Sequence, residues 1–158
     1  MAIRLFLHIA GITGDSNDAH HPNEIELESY RWGVRHGAAA LGGGGATSKP
    51  AFSDLTVTAA TSVASPVLFL SCAAGTHHHD ATLTATHGSG TGDDFLAVSL
   101  TEVLVTSFEQ SATADLGPTD TFTLAFSKVK VSYRRQSPLG VLEPPVETGW
   151  DVKANASF

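Results

Sequence analysis

The sequence predicts a mainly β fold: a closed or nearly closed β-barrel of two sheets, with long coiled strands and one short flanking α-helix at about 62–74. Three observations carry this. Apolar and polar residues alternate through most of the chain, the period-two pattern of strands that bury one face. Three alternating segments change phase midway. One segment alone, 66–74, runs largely apolar and is bracketed by helix start and stop residues.

Taken in order, Ile3, Leu5, Leu7 and Ile9 share one strand face. In 24–36 the apolar positions are Ile25 and Leu27, then Tyr30, Trp32 and Val34: odd, then even. A one-residue slip in a straight strand would turn its apolar set into water. A bulge or sharp coil instead lets one strand serve two sheets at a barrel corner. The same change occurs in 94–106 (Leu96, Val98 and Leu100, then Val103 and Val105) and in 121–133 (Phe122, Leu124 and Phe126, then Val129, Val131 and Tyr133). Shorter strands are expected at 53–59, at 80–87, and where Val146, Thr148, Trp150 and Val152 share a face. The helix is entered through Ser62 and Ser65 as N-cap candidates, with Pro66 near the first turn and Gly75 as its stop. Residues 37–50 hold a four-glycine run, a loop long enough to be functional. Residues 134–145 are a basic, then Pro-rich surface connection.

The chain has 158 residues, suiting a single domain over 1–158. Hydrophobic residues make up 42% and charged residues 16%, which excludes a disordered chain. A net charge of −7 opposes binding nucleic acid by phosphate neutralisation. The charge is uneven: residues 51–127 carry eight acids and no Lys or Arg, while 128–158 carry a net +2. Two readings of that Lys-free middle stand side by side. Part of its surface meets protein, or it is an exposed surface rich in Thr and Ser. The N-terminal apolar run is too short for a secretory signal, and no run is long enough to span a bilayer, so neither a cleaved leader nor membrane insertion is expected. Export would have to use a route that reads the folded protein.

Candidate chemistry is thin. Cys72 stands alone in apolar surroundings and reads as a buried, inert thiol. Gly42–Gly45 with Thr47-Ser48-Lys49 superficially resembles a phosphate loop, but Lys49 follows Ser48 rather than glycine and Pro50 follows it, so no nucleotide cofactor is expected. His77-His78-His79-Asp80 and His20-His21 hold metal-ligand types, yet adjacent strand residues point to opposite faces and no metal site is expected. Gly88-Ser89-Gly90 lacks the full nucleophile-elbow pattern, and Asp93-Asp94 reads as a solvated turn. No nucleophile, base and oxyanion donors assemble, so no enzyme is expected.

The arrangement of residues resembles the haemolysin-coregulated protein family, the inner-tube subunit of type VI secretion systems. The resemblance rests on the opening M-A-x-x-x-F-x-x-I, Glu24-Ile25 leading into Tyr30-Arg31-Trp32-Gly33, and the Gly42–Gly45 run. It continues through Pro66, Leu70-Ser71-Cys72-Ala73-Ala74-Gly75-Thr76-His77, Leu100-Thr101-Glu102-Val103-Leu104-Val105 and Gly149-Trp150-Asp151 with Asn155. It implies a barrel with one flanking helix, assembled into a homohexameric ring with a wide hole. Rings of this kind stack into tubes, meet sheath, spike and baseplate proteins, and carry small effector proteins in the lumen. The implied location is cytoplasmic before assembly and extracellular afterwards.

Gly42, Gly43, Gly44, Gly45 and Lys49 are the candidate ring-stacking loop. Arg31 departs from the small or uncharged residues that the resemblance implies for the lumen. It points away from Tyr30 and Trp32, and Arg35 shares its face, making both candidate lumen and cargo residues. Arg31 either attracts acidic cargo or pairs with a carboxylate of the next subunit. The alternative function is a stand-alone soluble β-barrel module binding a metal or glycan.

Overall fold

Alternation becomes ladder in the computed structural model, which describes residues 2–37, 41, 49–88 and 93–158. The elements in chain order are β1 (Ile3–Ile9), β2 (Ile25–Leu27), β3 (Ser29–Arg31), β4 (Val34–Arg35), β5 (Ala51–Phe52) and β6 (Leu55–Ala60). There follow α1 (Ala64–Ala74), β7 (His77–His87), β8 (Asp94–Thr113), β9 (Gly117–Tyr133), β10 (Val146–Asp151) and β11 (Ala156–Ser157). The class is mainly β with one short helix.

Every pairing is antiparallel. β1 lies between β2 and β7, β7 pairs with β8, β8 with β9, β9 with β6, and β6 with β3. β2 and β3 are separated only by Glu28, whose backbone N–H donates to the Thr58 carbonyl on β6 at 2.7 Å. The pairings thus lead back to β1 through the 25–31 segment, with a break in the ladder at Glu28. β4 and β5 form a separate two-stranded ladder.

The phase changes have visible causes. The expected strand over 24–36 is three short pieces, with the face change at the consecutive exposed residues Glu28 and Ser29. On β8 the change falls at Glu102, held in the left-handed region at φ +52°. Leu100 on one side of it and Val103 on the other are both buried. On β9 it falls between Phe126 and Ser127, where the buried Ser127 hydroxyl donates to the Thr101 carbonyl at 3.0 Å. β9 accordingly serves two neighbours: Thr119–Leu124 pairs with β6, and Lys128–Tyr133 pairs with β10.

The core gathers Leu7, Ile9, Leu55, Val57, Leu83, Val98, Leu100, Phe122 and Leu124, all at most 2% exposed. β1 differs from the simple alternation: Ile3 at its end is 55% exposed, while Phe6 on its other face is fully buried. The reason is local, because the His21 ring stacks on Phe6 at 4.5 Å and Arg4 lies over the same ring. α1 starts two residues later than expected, at Ala64, with Val63 as its N-cap. Ser62 still helps, accepting the Ala64 N–H at 3.1 Å. Gly75 ends the helix at φ +65°, the left-handed stop that glycine adopts at least cost. α1 lies against β8 and buries Ala64, Ser65, Leu68 and Ser71, while Phe69 and Leu70 remain about three-fifths exposed. Cys72 is half-buried and packed on the core rather than fully enclosed.

Candidate functional site

Following the ladder from β3 through β6 and β9 to the far half of β8 gives a four-stranded sheet with two different faces. Tyr30, Val57 and Phe122 share one row and point to the core, with Phe108 beside them. The neighbouring rows point outward. One is Arg31, Thr56, Thr123 and Ser107; the next is Ser29, Thr58, Thr121 and Glu109. The outward face is therefore hydroxyl-lined, with one charge at each side. Its hydroxyls are coupled: Thr123 Oγ1 lies 2.6 Å from both Thr106 Oγ1 and Ser107 Oγ, and Thr106 Oγ1 donates to Asp54 at 2.7 Å.

Both edges of this sheet are open. β7 pairs with β8 only as far as Leu104, so Thr106–Thr113 has β9 on one side and no strand on the other among the described residues. Among the described residues β3 pairs only with β6. A strand edge of this kind offers backbone N–H and C=O groups to another chain.

The ion pairs decide which charges are available. Lys128 pairs with Asp151 at 3.8 Å, Lys130 with Glu147 at 3.4 Å, Arg135 with Glu143 at 2.8 Å and Lys153 with Glu102 at 2.6 Å. Arg4 is shared between Asp18 and Glu26. Arg134 donates to the Glu143 and Leu142 carbonyls. The bases of 128–158 are thus satisfied within the chain. Arg31 on β3, Arg35 on β4 and Lys49 before β5 are exposed and have no acidic partner among the described residues. Glu109 on the β8 edge and Asp115 in the β8–β9 turn are likewise exposed without a cation. Gly42, Gly43, Gly44 and Gly45 lie outside the described residues, as do Ser89 and Gly90.

The histidines take structural positions. The His77–His79 run opens strand β7, so His78 turns inward while its neighbours face water. His78 joins the Ala10 carbonyl (2.8 Å) to the Ser71 hydroxyl (3.1 Å). Buried His21 has Glu24 at Nδ1 (3.1 Å) and Asp94 at Nε2 (2.9 Å). Asp94 is therefore a partner across the fold rather than a free turn carboxylate. Burial opposes the charged His21 ring, but the hydrogen bonds and charges of Asp94 and Glu24 outweigh it and hold its pKa above the ordinary histidine value. Among the described residues no three His, Cys, Asp or Glu side chains come together to hold a metal.

Sequence reasoning singled out Arg31 but missed Glu109. The signal is slight: Ser107-Phe108-Glu109 continues the polar–apolar–polar alternation of β8 past the apolar run, with only Phe108 to carry it.

The family model described as "Type VI secretion system effector, Hcp" matches residues 6–133. The chain belongs to the Hcp family. It is 32% identical to Protein hcp1 of Pseudomonas aeruginosa over 159 aligned positions, covering 98% of both chains. Hcp1 from Salmonella typhimurium shares 30% identity at a TM-score of 0.81, over 99% of this chain and all of that one. A structure described as a type six secretion system protein shares 25% identity at a TM-score of 0.92, with the same coverage. The Hcp assignment makes this chain a tube-type component of type VI secretion, in place of a stand-alone binding module. The family is defined by its place in secretion rather than by a reaction.

Proposed function

We propose that the protein closes into a homohexameric ring by joining the open β8 edge of one copy to the β3 edge of the next, and that these rings stack into the secreted tube. One observation carries the reading: the two open edges bound the same four-stranded sheet and run antiparallel to each other. A copy rotated about an axis along the strands therefore continues the antiparallel alternation, without a parallel pair at the boundary. A heterologous contact repeated by rotation closes into a ring. The hydroxyl-lined face becomes the lumen wall, with Arg31 on it and Arg35 farther along the chain. It offers small effector proteins a polar surface without apolar anchors. The loop at 37–50, with Gly42–Gly45 and Lys49, supplies the contact between stacked rings. Sheath, spike and baseplate proteins are the outer partners, and export proceeds with the assembled machine, leaving the cytoplasm for the medium.

Native mass spectrometry at micromolar concentration tests the ring. The expected species has six times the 16.5 kDa chain mass. A monomer under those conditions overturns the reading. Ala112 stands opposite Pro118, whose carbonyl turns to the Thr61 N–H, so the Ala112 N–H faces the open side of β8. Replacing Ala112 by Pro, which cannot donate to a ladder, should abolish the ring while leaving the monomer's circular dichroism unchanged.

A further inference from the structure

We infer that Arg31 is a subunit-to-subunit clasp: its guanidinium pairs with Glu109 of the neighbouring copy and is not held free for cargo. This rests on the ring reading above and adds to it which charges lock the boundary.

The argument begins with what is left over. Of the nine Lys and Arg residues, six have acidic or carbonyl partners within the chain. The three that do not, Arg31, Arg35 and Lys49, all fall on the run leading from β3 to β5. On the opposite side of the four-stranded sheet, Glu109 lacks a cation among the described residues, and so does Asp115 beyond it in the turn. Opposite charges therefore stand at opposite edges of one sheet, although Glu28 at the head of β3 is also exposed and has no cation among the described residues. Edge-to-edge joining brings them together.

Register then selects the pair. Within one copy Arg31 shares a row with Ser107, and Ser29 shares the next with Glu109. If the next copy is added at the same height, its Arg31 stands opposite Ser107 and has Glu109 as its diagonal neighbour. Diagonal neighbours two residues along lie about 7–8 Å apart, within reach of a long side chain. Both side chains leave the sheet on the outward face, because Tyr30 and Phe108 on either side of them turn inward. The guanidinium fork can engage the carboxylate through two N–H donors. An interfacial pair of this kind fixes register and rejects mismatched neighbours.

The consequence for the lumen is specific. Arg31 is neutralised at each of the boundaries, and the wall presents hydroxyls instead of a ring of positive charge. Arg35 and Lys49, outside the clasp, are the cations that remain.

The test is a charge-reversal cycle read by analytical ultracentrifugation at low salt: wild type, Arg31→Glu, Glu109→Arg, and the double reversal. Both residues are exposed, so the monomers should fold alike, which thermal melts check. Each single reversal should raise the concentration for half-assembly by about tenfold or more, and the double should return it to within about threefold of wild type. A wild-type monomer overturns the ring itself and the clasp with it. A wild-type ring whose single reversals assemble normally, or whose double reversal assembles no better than the worse single, overturns the clasp and leaves the ring standing. Loss of acidic-cargo retention in Arg31→Glu without any coupling to Glu109 likewise overturns it in favour of a cargo contact.

Discussion

His21 sits where a neutral aromatic would satisfy packing, stacked flat on Phe6, yet both of its ring nitrogens meet carboxylates. Asp18 and Arg4 complete the charged surroundings, with Arg4 paired to Asp18 and Glu26. Because the folded state raises its pKa, the protonated ring stabilises the fold fully below the unfolded value of about 6.5. That contribution is lost as pH rises through the higher folded value. Urea midpoints of the wild type should therefore fall from pH 6 towards pH 8. His21→Gln should flatten that slope and cost about 1–3 kcal/mol at pH 6. Asp120 is a second buried polar centre, 2% exposed, accepting from Thr61 Oγ1 at 2.9 Å, Gln110 Nε2 at 3.0 Å and the Ser65 hydroxyl. It ties the first turn of α1 to β9. Asp120→Ala leaves three donors without their acceptor and should cost about 3 kcal/mol in chemical unfolding, with an unchanged denaturant slope. Asp120→Asn, keeping one acceptor oxygen, should cost less.

Elements here are positioned by a few backbone constraints that substitution can separate. Gly75 has its φ at +65° but open space where a Cβ would go, so Gly75→Ala should cost about 1 kcal/mol of backbone strain and nothing in packing. Gly14 is the reverse case: its Cβ would press into the Glu24 carbonyl and lie 2.8 Å from the Ile25 backbone nitrogen. Gly14→Ala should therefore be the more damaging, at about 3 kcal/mol, because the loop beneath β2 cannot give way cheaply. Thermal midpoints of the two variants provide the comparison. The same constraints explain what could be read in advance. Leu100 followed by Val103 writes the turn at Glu102 directly into the spacing, and Gly75 after an apolar run announces the helix end. The far half of the β8–β9 hairpin was hidden because Thr106–Thr113 is exposed nearly throughout and carries only Phe108 as an apolar marker. His21 and Asp94 meet through tertiary folding alone, and no local pattern links residues so far apart. Arg31 was legible as an outward residue between Tyr30 and Trp32. Its relation to Glu109 needed the register of four strands.

Across the whole molecule the charge divides differently from its order along the chain. The C-terminal bases are paired with Asp151, Glu147 and Glu143 nearby and with Glu102 on β8, leaving unpaired cations among the described residues only around 31–49. Assembly should consequently weaken with added salt, most steeply below the roughly 0.15 M at which exposed charges farther apart than about 8 Å are screened. Sedimentation across a sodium chloride series measures this, and an assembly indifferent to salt would assign ring closure to the backbone edges alone. The long β8–β9 ladder also bears on how the subunit comes into being. Its two strands are joined by a short turn, whereas β1 must wait for β7 to pair Ile3 with His87. Local hairpins close quickly and distant strands slowly. Strand β1 leaves the ribosome before β7, so in a growing chain it has only β2 beside it until β7 follows, and the β8–β9 hairpin can close on itself with its outer strand bare. Thr106, Ser107, Glu109 and Ser111 along that strand are soluble, weakly adhesive residues. Until a ring closes, the bare edge stays able to take up an extended chain, and Glu109 is the one residue along 106–113 whose charge discourages it.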